Sequence, residues 1–97
     1  MSPERYNGFA NYETWAVNLW LTNDHPAYSE FRELAENYSS EESYEFGQEI
    51  KKRVEQGTED ILEQLTGSAF AGMISDIFHA NLTLVDWDEI AQGFQED

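Results

Sequence analysis

The chain has 97 residues, with 20 Asp and Glu set against 5 Lys and Arg, for a formal net charge of −15 at pH 7. Domains commonly hold about 100–150 residues, so the length excludes two separate cores, and the charge opposes direct binding to a phosphate backbone. The absence of Cys excludes disulfides, thiolate metal sites, iron–sulfur clusters and thiol nucleophiles.

Residues Met1 to Ala10 read as an irregular lead-in, with Pro3 and the Asn7-Gly8 pair marking turns and Tyr6 and Phe9 pinning it down. Asn11 caps a first helix to about Thr22, in which Trp15, Leu19 and Thr22 recur at helical spacing while Val17, Trp20 and Leu21 widen the apolar face. So broad a face predicts a central helix. Asp24 caps a second helix with Pro26 in its first turn and Tyr28, Phe31, Leu34, Ala35 and Tyr38 on one side, ending near Asn37 or Tyr38. Ser39-Ser40 opens a third, with Glu41 and Glu42 at the positive end of the helix dipole, Phe46, Ile50 and Val54 as core, and Lys51, Lys52 and Arg53 toward the other end, before a stop at Gly57.

Thr58 then caps a short helix through Ile61, Leu62 and Leu65, which Gly67 ends; Ser68 begins another with Phe70, Met73, Ile74, Ile77 and Phe78. Asn81 to Val85 reads as a loop or a short extended piece. Asp86 with Glu89 forms a capping box for a last helix bearing Trp87, Ile90, Ala91 and Phe94. The expectation is an all-α single domain, residues 1–97, of five or six short helices, with minor β structure confined to the lead-in and residues 82–85.

Acidic tails that stay disordered usually lack aromatic residues. Here 14% of residues are aromatic and 40% hydrophobic, which predicts a folded globule. The longest nearly apolar stretches, Trp15 to Leu21 and Ala69 to Ile74, fall far short of the roughly 20 residues that cross a bilayer. With no signal peptide read at Met1, a cytoplasmic protein without membrane attachment is expected.

Nothing in the pattern points to an enzyme. His25 and His79 lie far apart without a partner motif, and His79 suits a helix C-terminus. Ser39, Ser40 and Ser68 read as caps, since no G-x-S-x-G elbow surrounds them. Asp86-x-Asp88-Glu89 lacks the alternating oxygens, the sixth-position Gly and the twelfth-position Glu of a calcium loop. No metal, cofactor or catalytic residue is expected.

The remaining signal is the placement of the acids. Glu41, Glu45 and Glu49 recur at four-residue steps, as do Glu55, Glu59 and Glu63, while Glu30, Glu33 and Glu36 recur at three. Four-residue steps set carboxylates about 6 Å apart on one helix face. Five basic residues cannot neutralise them all, and a solvated face is the ordinary explanation of one such stripe. Three stripes together predict a surface kept negative for a positive partner. A compact chain of this size is about 30 Å across, and duplex DNA carries roughly 18 charges over that span.

Tyr6-Asn7-Gly8-Phe9-Ala10-Asn11-Tyr12-Glu13-Thr14-Trp15, continued by Val17, Leu19-Trp20 and Asn23-Asp24, resembles the opening of a family of small proteins met in phages, archaeal viruses, plasmids and prophage-bearing genomes. The ending Val85-Asp86-Trp87-Asp88-Glu89-Ile90-Ala91 is similar to that family's closing helix. The stretch from about Tyr38 to Phe78 carries no matching motif. The resemblance implies a mobile-element origin, where small acidic proteins look like inhibitors of host defence of the anti-CRISPR or anti-restriction kind.

The expected function is therefore a non-enzymatic DNA mimic, acting in the host cytoplasm on a basic nucleic-acid-binding complex such as a CRISPR effector. Its contact set is Glu41, Glu42, Glu45, Glu49, Glu55, Glu59 and Glu63, backed by Glu30 and Glu33. The alternative is an adaptor or homodimer that uses Tyr6, Phe9 or Trp15 as aromatic anchors, with acidity serving solubility.

Overall fold

Side-chain caps start the first two helices where the sequence predicts them: Asn11 Oδ1 accepts the Thr14 N–H at 2.9 Å, and Asp24 Oδ2 accepts the Ala27 N–H at 3.1 Å. The structure, a computed structural model, describes residues 5–64 and 69–96, apart from the side chains of residues 70 and 71. These form α1 (Tyr12–Asn23), α2 (His25–Ala35), α3 (Ser43–Glu63), α4 (Ala69–Leu82) and α5 (Trp87–Glu96), with a 3₁₀ turn at Ser40–Glu42 leading into α3. The fold is all-α. Pro3, Leu65, the stop at Gly67 and the cap at Ser68 lie outside the described residues, as does the side chain of Phe70.

Gly57 does not stop α3, and the two helices expected on either side of it are one. A glycine inside a helix costs only about 1 kcal/mol, and Val54 and Ile61 hold one face across it. Thr58 is accordingly not a cap, and its hydroxyl donates back to the Val54 and Glu55 carbonyls at 2.9 and 3.0 Å. α2 ends earlier than expected, at Ala35, and turns carry the chain through Tyr38, whose ring stacks on Phe46 at 5.1 Å.

The central helix is α5, not α1. Trp87, Ile90, Ala91 and Phe94 are all buried, and α5 packs along α3 against Phe46 and Ile50, with Phe31 and Ala35 of α2 closing the core. Each large apolar side chain buried there contributes about 1.5–3 kcal/mol. In α1 only Thr14 is fully buried, and Trp20 is 74% exposed. The broad apolar face of α1 thus exceeds what the core covers. The two helices come close at Gly47 of α3, where a Cβ would stand 2.8 Å from the Trp87 carbonyl oxygen.

Polar bonds lock the chain's two ends to one another. Buried Thr14 donates through Oγ1 to Asn11 Oδ1 at 2.6 Å and accepts the Asp86 N–H at 2.8 Å. Asn11 Nδ2 donates to the Leu84 carbonyl at 2.6 Å. The expected capping box is therefore half made: Asp86 Oδ1 accepts the Glu89 N–H at 3.1 Å, but Thr14 occupies the Asp86 N–H and frees the Glu89 carboxylate. Glu89 accepts the Ala10 N–H at 2.9 Å and pairs with Arg5. Asn7 and Gly8 take the positive φ values, 48° and 88°, that a two-residue primed turn requires. They close a single antiparallel bridge between Tyr6 and Phe9. Residues 82–85 hold no extended piece; the Leu84 and Val85 N–H groups turn back to Asn81 and Leu82.

Replacing Gly47 by Ala drives a methyl into the α5 backbone, and overpacking of this kind costs about 1–3 kcal/mol, outweighing the helix-propensity gain. Gly57, with open space around its Cβ position, gains about 0.5–1 kcal/mol from the same change. Urea unfolding is expected to lower the midpoint for Gly47→Ala and raise it for Gly57→Ala. Equal shifts would contradict the close crossing.

Candidate acidic interface

The run from α2 through α3 holds most of the surplus charge: eleven Asp and Glu stand between His25 and Glu63 against Arg32, Lys51, Lys52 and Arg53. Arg32 is spent elsewhere, donating to the Phe94 carbonyl at the end of α5 at 2.8 Å, where a cation offsets the helix dipole. Three cations remain for eleven carboxylates.

Because α3 is continuous through Gly57, the stripes expected on separate helices share one surface. At 3.6 residues per turn, Glu45, Glu49, Glu55, Glu59 and Glu63 fall within an arc of about 120°, and 1.5 Å per residue spreads them over roughly 27 Å. The arc lies opposite Phe46, Ile50 and Val54. Glu41 and Glu42 are not on this face; both sit in the 3₁₀ turn before α3, where Glu42 Oε1 accepts the Ser39 N–H at 2.9 Å. Asp60, absent from the expected contact set, is exposed beside Glu59 and Glu63.

Arg53 divides the surface. Its Nη1 pairs with Glu30 of α2 at 2.8 Å and its Nε with Glu49 at 3.2 Å, and these two hydrogen bonds, Glu30 first, hold its proton more firmly than usual. Beside this fork Arg53 of α3 closes a cleft whose acids come from α2 and the residue after it, Glu30, Glu33 and Glu36. Lys51 approaches Glu55 at 3.9 Å, and Lys52 falls inside the acidic arc. A cationic belt at 51–53 thus separates an N-terminal patch (Glu30, Glu33, Glu36, Glu41, Glu42 and Glu45) from a C-terminal one (Glu59, Asp60 and Glu63). The belt was visible in the sequence as Lys51-Lys52-Arg53, but its cross-helix reach was not.

At the far end of α3, His79 of α4 stands 3.5 Å from Glu59, with Nδ1 2.8 Å from the Ser75 carbonyl oxygen. The Ser75 carbonyl, then Glu59, pull the imidazole above its ordinary value of 6.5. Of the expected aromatic anchors Tyr6, Phe9 and Trp15, Tyr6 and Trp15 pack on one another and on Tyr12, with ring centroids 5.1–5.7 Å apart. Tyr6 is 41% exposed, and Phe9 and Trp15 are half-buried. Among the described residues no group of three or more acidic or His side chains is arranged to hold a metal, and no helix is long and apolar enough to cross a membrane.

The chain belongs to the DUF7249 family, described as a family of unknown function, whose sequence model matches residues 2–97. No curated protein and no solved structure matches it.

An upward shift means that folding tightens His79's hold on its proton. The tie between α4 and α3 is therefore complete below the ordinary imidazole value and is lost as pH rises through the folded-state value. An NMR titration of the His79 ring is expected to give a midpoint above 6.5, falling in Glu59→Gln yet not fully, since the Ser75 carbonyl remains. A midpoint unmoved by that substitution would remove Glu59 from the account.

Proposed function

We propose that this protein is a non-enzymatic DNA mimic from a phage or other mobile element, acting in the host cytoplasm to occupy the nucleic-acid channel of a defence complex. A CRISPR effector is the leading target class. The supporting observation is the carboxylate surface of α2, the 3₁₀ turn and α3, in its two patches on either side of the belt at 51–53. There Glu33, Glu41, Glu45 and Glu63 are exposed and make no ion pair among the described residues. Channels that hold nucleic acid are lined with Lys and Arg spaced for phosphates. A strand of DNA places about eight phosphates along the 27 Å that these acids span, so the α2 and α3 acids together approach one strand's density.

Rigidity supports the reading as well. The acids stand on helices anchored by the buried α3–α5 contact and cross-linked by Arg53, so the side chains meet a partner without first ordering a backbone. Long-range attraction also speeds the encounter of oppositely charged surfaces. The belt at 51–53 makes the N-terminal patch, with its six carboxylates, the stronger half of the contact.

The test is displacement of fluorescently labelled duplex from a guide-loaded effector, followed by anisotropy. The parent chain is expected to release the duplex, and its inhibition constant to weaken at least about tenfold between 0.1 and 0.5 M salt as screening shortens. Reversal of Glu33, Glu41 and Glu45 to Lys together, all exposed and outside the core, is expected to abolish release while helix content holds. Release by that variant at the parent's potency would refute the acidic surface as the site.

A further inference from the structure

α4 stands apart from the charge pattern. Its 14 residues carry one acid, Asp76, and α1 carries one, Glu13, so two of the chain's 20 carboxylates fall on these two helices. Yet α4 is not buried: Met73, Ile74 and Ile77 are 52, 51 and 56% exposed. Ile74, Ile77 and Phe78 recur at the i, i+3, i+4 spacing of one helix face. Between that face and α1 runs an apolar groove lined by Ala16, Val17, Trp20, Leu21, Val54 and Phe78. Ile61 lies two turns beyond Val54 on the core face of α3 and is 62% exposed, with no cover among the described residues. α4 joins the core at its C-terminal end, where Leu82 is buried and Phe78 packs against the cluster.

We infer that this face is a homodimer interface, in which α4 and the Trp20 groove of one copy cover those of a second. Two quantities select a second copy as the occupant. The first is area. Trp20, Ile61, Met73, Ile74 and Ile77 together leave roughly 500–600 Å² of side chain exposed, at about 150–250 Å² for each large residue. That matches the apolar share, about 65%, of the roughly 800 Å² each partner contributes to a standard interface. The second is charge. On α1 and α4 two chains of −15 can meet with few carboxylates between them, Glu59 at the α3–α4 contact being already beside His79. A basic partner would find no such concentration of carboxylates to pair with on α1 and α4.

This inference does not rest on the DNA-mimic reading, and the two respond to salt in opposite directions. Screening removes repulsion between like chains, so dimerisation should tighten where binding to a cationic channel weakens. Sedimentation equilibrium of the full chain, from about 1 to 100 µM protein, is expected to show a species of twice the 11.2 kDa chain mass. Its dissociation constant should fall at least about threefold between 0.05 and 0.5 M salt. Trp20→Gln combined with Ile77→Gln changes two exposed positions, so circular dichroism should report unaltered helix content while dimerisation weakens tenfold or more. The Glu33, Glu41 and Glu45 reversal, which abolishes mimicry, should leave the dimer intact. A monomer at every concentration and salt, or a Trp20/Ile77 variant that dimerises like the parent, would overturn the proposal.

Discussion

The crossing of α5 over α3 at Gly47 is the contact on which the other elements depend. With the Trp87 carbonyl so close that a methyl does not fit, Phe46 and Ile50 of α3 and Ile90 and Phe94 of α5 are at most 2% exposed. α2 then closes the core through Phe31 and Ala35, and Arg32 and Gln95 fasten the end of α5 to α2 and to the link before α3. The N-terminal part of the acidic surface of α3 is backed by this contact, because Phe46 and Ile50 on the opposite side are fully buried. A helix with nine Glu, Asp, Lys and Arg along it gains little from those residues, and its inner face supplies the stability.

The helices were largely legible in the sequence because their signals are local. Asn11, Asp24 and Asp86 cap where expected, and the apolar positions of the third and last helices face the core. What escaped was whatever depends on a neighbour. Gly57 reads as a stop only until the continuity of Val54 and Ile61 is set against the small cost of a helical glycine. Trp20 reads as core because periodicity reports amphipathicity, not whether another element is present to cover the face. Gly47 gives no local sign at all that a backbone passes over it.

The segments at residues 6–24 and 85–91 turn out to bond to each other. Asn11 and Thr14 of the first meet Leu84 and Asp86 beside the second, and Ala10 meets Glu89. A structural reason thus accounts for these residue types: Thr14 is buried with both its hydrogen-bonding capacities used, and a replacement would leave a buried donor or acceptor unmet. The acids of the candidate site follow a looser logic. Their stripes were readable from spacing, since periodicity along one helix needs no partner. Their division by Arg53 was not, because the Glu30 contact spans 23 positions and two helices.

Placing the main core helix so late in the chain orders events during synthesis. While α1, α2 and α3 leave the ribosome, at about 5–20 residues per second, the segment that will cover Phe46, Phe31 and Thr14 has yet to emerge. For those seconds the nascent polypeptide exposes its future interior, and mutual repulsion among its carboxylates, already dense by Glu63, keeps neighbouring copies apart. The same anionic surplus that burdens the finished molecule thereby shields it at the stage when it is most prone to clump.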